Sequence, residues 1–161
     1  MRIHKSYTLS LWLFLAIACA LSWASCSEPR IESIRFGLAN APANLDPRFA
    51  TDATSDRINR LLYARLVDFS DAFEPIPAIA SWEHIRAKHF RFHLNPNRSS
   101  FHDGTSLTTK DVKATYDFIL DAKNASPHRS TLSIIDRITI QDSETLDFHL
   151  NRPDLLFPSF L

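Results

Sequence analysis

His89 and His93 stand four residues apart, His102 precedes Asp103, and Ser99, Ser100 and Ser106 flank that pair. These are the side chains in the body of the chain whose types and spacing could do chemistry. His102 beside Asp103 offers a base with an orienting carboxylate, and one of the serines would supply a nucleophile. Such triads are assembled from distant segments, however, and neighbours in a turn point apart. Asp103-Gly104 reads as a turn in which glycine supplies a positive φ. Two histidines four apart on a helix would suit a metal ion. Here Phe90, Phe92 and Leu94 alternate with His89, Arg91 and His93, which predicts a strand and places the imidazoles about 13 Å apart on one exposed face. No catalytic residue and no metal site are expected.

Cysteine and glycine usage narrows the chemistry further. Cys19 and Cys26 are the two cysteines of the chain, so the body after residue 26 offers no internal disulfide, thiol nucleophile or thiolate metal site. Gly37 and Gly104 are the two glycines, too few for a phosphate-cradling loop. The tripeptides Asn97-Arg98-Ser99 and Asn124-Ala125-Ser126 match a glycosylation sequon, a pattern short enough to arise by chance.

The elements that must position these residues can be read from periodicity. Ile31 to Leu38 alternates and predicts a strand. A loop from Ala39 to Asp52 carries Pro42, Pro47 and the phrase Asn44-Leu45-Asp46-Pro47. Ile58, Leu61, Leu62 and Leu66 recur at helical spacing behind the capping candidates Asp52, Thr54 and Ser55. Phe73 to Glu83, punctuated by Pro75 and Pro77, predicts irregular backbone packing Trp82. Thr108 caps a second helix with Asp111 at its third position, and Val112, Thr115 or Tyr116, Ile119 and Leu120 form the apolar stripe. Arg137 to Gln141 and Thr145 to Leu150 predict a hairpin around Asp142-Ser143-Glu144. Helices and strands mix without strict alternation, so the class is α/β or α+β.

The N-terminus reads as an address. Arg2 and Lys5 precede an apolar run from Tyr7 to Trp23, and no acidic residue occurs before Glu28. A positive segment followed by an apolar one is an export signal, and the run is shorter than the roughly 20 residues of a membrane span. Ala24 and Ser25 stand before Cys26 as in the lipobox of bacterial lipoproteins, which makes Cys26 the lipidation candidate. Trp23 occupies a position where that pattern has an aliphatic residue. Cys19 is the second candidate, and cleavage near Ser25 by an ordinary signal peptidase is the alternative. Loss of residues 1–25 leaves 16 basic and 18 acidic side chains, a net of −2 with His neutral. Nothing in that balance recruits nucleic acid.

The order of several phrases is similar to a known family. Asn44-Leu45-Asp46-Pro47, Leu62-Tyr63-Ala64-Arg65-Leu66-Val67, Pro75 to Glu83, Phe90 to Leu94, Phe101 to Val112 and the closing Thr145 to Leu150 with Arg152-Pro153 resemble the N-terminal region of family 5 solute-binding proteins. These are the extracytoplasmic receptors of oligopeptide, dipeptide and nickel ABC importers. Arg65 stands where the family has glycine and Ile79 where it has leucine.

The resemblance implies an α/β fold of the periplasmic-binding-protein kind (class II, cluster C), truncated. Residues 26–30 form a linker and 31–65 begin the large lobe. Residues 66–153 make most of the small lobe, and 154–161 begin the return. It implies capture of an oligopeptide or dipeptide, or a nickel complex, for ABC importer membrane subunits. The protein is then held by lipid on the periplasmic or cell-surface side of the membrane, with no cofactor. The segment after the Leu-Asp-Pro phrase lines the cleft in the family, which puts Thr51, Asp52 and Ala53 nearest the ligand. Two other readings stand beside this one. A truncated, non-binding fragment would leave Phe157, Pro158, Phe160 and Leu161 as an exposed apolar end, and an exported hydrolase would use His102 and Asp103.

Overall fold

The structure is a computed structural model that describes residue 33 and residues 35–161. The export segment 1–25, Cys26, the linker 26–30 and most of the expected strand Ile31–Leu38 lie outside the described residues. Residues 35–38 of that strand are in no regular element, and no strand among the described residues pairs with them.

The alternating segments become a four-stranded antiparallel sheet. β3 (Ala80–Arg86), β4 (His89–Leu94), β5 (Ile135–Ile140) and β6 (Thr145–Leu150) stand in the order β3-β4-β6-β5, two hairpins side by side. Strand β4 matches the predicted residues, and the predicted hairpin β5–β6 forms around Asp142, whose carboxylate accepts from the Glu144 and Thr145 amides at 2.8 Å. Because successive side chains alternate faces, Phe90, Phe92, Leu94, Leu146, Phe148, Leu150 and Ile138 all fall on one buried side.

That side is covered by α2 (Thr109–Leu120), whose Val112, Tyr116 and Ile119 are buried on it. Tyr116, not Thr115, carries the stripe, and its ring meets Phe148 edge-on at 5.4 Å. The capping box forms as predicted: the Asp111 carboxylate accepts from the Thr108 amide at 2.8 Å and its hydroxyl at 2.7 Å. A short helix, α3 (Arg129–Leu132), adds Leu132 to the same core.

Four expectations are corrected. Trp82 lies in strand β3, stacked on Phe92 at 6.0 Å, not on irregular backbone. Pro75 and Pro77 are accommodated in β2 (Pro75–Pro77), which among the described residues pairs only with β1 (Val67–Phe69), and an edge position tolerates a missing N–H. Phe157 and Pro158 are buried because the 3-10 turn Phe157–Phe160 folds Phe157 beneath Phe90 and Phe148, at 5.4 Å from each. Leu155 and Leu156 are exposed in their place. Finally, helix α1 (Ala53–Leu62) starts where expected but stops short of Leu66, which is buried outside it, and is turned over. Ser55 and Asn59 are buried, while Leu61 is 63% exposed. The buried polar face follows from the hydrogen bonds that Ser55 makes, described next.

Candidate functional site

The loop expected to meet a ligand is held from two directions. Asp52 is the N-cap of α1: its carboxylate accepts from the Ser55 amide at 2.9 Å and the Ser55 hydroxyl at 2.5 Å. Those bonds hold the Asp52 carboxyl below its ordinary range. The Ser55 oxygen in turn accepts from the Asn44 amide at 3.0 Å, tying the incoming loop to the helix. Asp46 binds Arg48 through Nε at 2.9 Å and a terminal nitrogen at 2.7 Å, and the Arg48 guanidinium lies 4.0 Å above the Phe118 ring of α2. From the other side Ser126 donates to the Arg48 carbonyl at 2.7 Å, and His128 Nε2 lies 2.9 Å from the Ala50 carbonyl.

Thr51 and Ala53 are therefore exposed at the mouth of an anchored turn, and Asp52 is half-buried with its carboxylate committed to the helix. Beside them a cleft of about 410 Å³ opens between the loop, α1, α2 and the C-terminal turn. Ala50, Asp56 and Asn59 line it; Thr51, Asp52 and Ala53 do not. Asp56 is paired with Arg65 at 2.7 Å.

Asn59 is the residue that sequence reasoning missed. It is 5% exposed, and neither its amide nitrogen nor its oxygen has a hydrogen-bond partner in the structure. Both side-chain polar atoms are shut off from the surface, and an unsatisfied buried polar group costs about 1–3 kcal/mol. The only sequence signal was a polar residue between Ile58 and Leu61 on a helix otherwise read for its apolar stripe.

The residues weighed for catalysis are not brought together. The Asp103 carboxylate accepts from the Thr105 amide at 2.9 Å and hydroxyl at 2.7 Å, and Gly104 takes φ 86° in an exposed turn. His102 is exposed and makes no bond to Asp103.

On the polar face of the sheet, His89 and His93 lie on the same side of β4 as predicted, but His89 has different company. Asp147 of β6 is 2% exposed and binds the Arg91 guanidinium at 2.7 and 3.0 Å. Gln141 donates to the same carboxylate at 2.8 Å. Chiefly through the Arg91 hydrogen bonds, the Asp147 pKa is lowered to about 2. His89 Nε2 lies 3.1 Å from Asp147, is buried, and meets no hydrogen-bond geometry there.

Comparison with known proteins places the chain among relatives. The model of bacterial extracellular solute-binding proteins, family 5 Middle, matches residues 73–161. The periplasmic murein peptide-binding protein MppA of Escherichia coli (strain K12) is 26% identical over 134 residues, covering 72% of this chain and 25% of MppA. Among solved structures, AgaA from A. tumefaciens R10, in complex with agropinic acid, is 32% identical with a TM-score of 0.67, covering 73% of this chain and 24% of AgaA. NikZ from Campylobacter jejuni, in complex with Ni(L-His), has a TM-score of 0.66 at 22% identity, covering 76% and 24% respectively. The chain thus spans about a quarter of the length of these relatives, and the fold it shares with them is periplasmic-binding-protein-like.

Proposed function

Because the chain belongs to the bacterial extracellular solute-binding proteins, family 5, we propose that it is part of the receptor of a peptide-type ABC importer, capturing peptides or similar solutes outside the cytoplasm. The observation that carries this reading is the family match over residues 73–161, the segment that builds the four-stranded sheet and α2. In this account residues 31–65 begin the large lobe and 66–153 make most of the small one. The two lobes close on a ligand, satisfying its backbone while water fills the space around varied side chains.

Thr51, Asp52 and Ala53 form the wall nearest the ligand. Ser126 and His128 anchor their turn from the other side. Asp52 acts here as the cap that fixes the wall and Thr51 as the exposed hydroxyl. Export through residues 1–25 and lipidation of Cys26 would keep the receptor beside its importer.

Thermal melting of the whole gene product with a panel of di- to pentapeptides tests the reading. A ligand at 100 times its Kd adds about 2.7 kcal/mol, a rise of several degrees. Unchanged melting with every peptide would remove peptide capture.

A further inference from the structure

The polar face of the sheet carries a second site. Register places Arg86 opposite His89, His89 opposite His149, and His149 opposite Arg137, so one row crosses all four strands in the order Arg86, His89, His149, Arg137. One bulge builds it: β3 shifts register between His84 and Arg86, whereas Arg137 keeps the register of Ile138 to Ile140. Without that shift Arg86 would fall on the other face, because a one-residue slip reverses every side chain.

Neighbouring strands lie about 4.8 Å apart, and like charges directly opposite one another destabilise a sheet. The imidazoles of His89 and His149 are stacked at 4.6 Å between centroids. These four groups, with Lys88 and Arg91, line a depression of about 580 Å³, within the range of small-molecule sites. Against them stand Asp136, bound to Arg137 at 2.9 Å, and Asp147, bound to Arg91. Arg86 has no ion pair among the described residues, whereas His89 Nε2 faces the Asp147 carboxylate at 3.1 Å. Such a row is stable when an anion lies along it.

We propose that the row from Arg86 to Arg137 binds a phosphate-bearing anion, free or as a lipid headgroup. Arg86 and Lys88 supply fixed charge from the β3–β4 connection, and His149 supplies charge that follows protonation. Burial, then Arg137 and His89, hold the His149 pKa below its ordinary value, so the ring is largely neutral at neutral pH. An anion facing Arg86, Lys88, His89, Arg91, Asp136, Arg137 and Asp147 offsets that repulsion, and binding takes up protons. His89, Asp147 and His149 could also offer ligand atoms within 4.8 Å of one another to a metal. The bidentate Arg91 bond on Asp147 and the surrounding cations oppose that occupant. The depression shares no lining residue with the cleft beside Asn59.

Isothermal titration of the whole protein with pyrophosphate at pH 5.5 and 7.5 tests this, alongside co-sedimentation with phosphatidylglycerol vesicles. Binding should be at least tenfold tighter at pH 5.5 and at least tenfold weaker in the exposed double variant Arg86→Ala/Lys88→Ala, checked for folding by circular dichroism. Binding to pyrophosphate assigns a free anion, and binding to vesicles alone, lost in the same variant, assigns a headgroup. No binding to either, or binding indifferent to the variant, overturns the site. So does zinc binding that is lost in His89→Ala/His149→Ala while pyrophosphate fails to bind.

Discussion

His128 Nε2 lies 2.9 Å from the carbonyl oxygen of Ala50, 78 residues earlier in the chain. With the Ser126 bond to the Arg48 carbonyl, it clamps the turn carrying Thr51 to the segment that leads into α3. Replacing Ser126 and His128 together by alanine should cost about 1–3 kcal/mol and speed hydrogen exchange at the amides of residues 49–53. Unchanged exchange there would show that the turn is held by Asp46, Arg48 and Phe118 alone.

Asp52→Ala removes the N-cap of α1, for an expected loss of about 1 kcal/mol, whereas Asp52→Ser should retain most of it. Urea denaturation of the three proteins makes the comparison. Equal losses in both variants would mean that the carboxylate has a role beyond capping.

Asp147 links stability to pH. Its folded pKa of about 2 lies below the model-peptide value of 3.8, so its contribution is present above pH 4 and is lost as pH falls through 2. The size is on the order of 2 kcal/mol. Asp147→Asn should flatten the wild-type loss of stability between pH 4 and 2, seen in urea midpoints across that range. Asp147→Ala at pH 7 leaves the partly exposed Arg91 guanidinium without its carboxylate and should lower the urea midpoint.

Phe157→Ala should cost about 3–5 kcal/mol, because the ring is fully buried against Phe90, Phe92 and Phe148. A loss below 1 kcal/mol in thermal or chemical denaturation would place residues 157–160 outside the core.

Most of the sheet was legible because alternation is a local signal: Phe90, Phe92 and Leu94 announce β4 without reference to any other segment. The capping box at Thr108 and Asp111 is equally local. Helix α1 was legible in its start and not in its end or orientation. Ile58, Leu61 and Leu62 suggest an apolar face turned inward, but Ser55 is drawn inward by Asn44 and Asp52. The same alternation that revealed β6 put Asp147 on the outer face, and nothing near it in sequence shows that Arg91, 56 residues away, makes it a buried ion pair. The transverse row of Arg86, His89, His149 and Arg137 was hidden for the same reason. It exists only once register and the β3 bulge are known.

The central claim is capture of a solute. The most direct measurement is mass spectrometry of small molecules released on denaturing the full-length protein purified natively from its source. The account predicts a peptide or peptide-like solute near one equivalent, which on return to the emptied protein slows exchange at residues 51–53. Release of no solute, together with no added peptide slowing exchange at those residues, would contradict it.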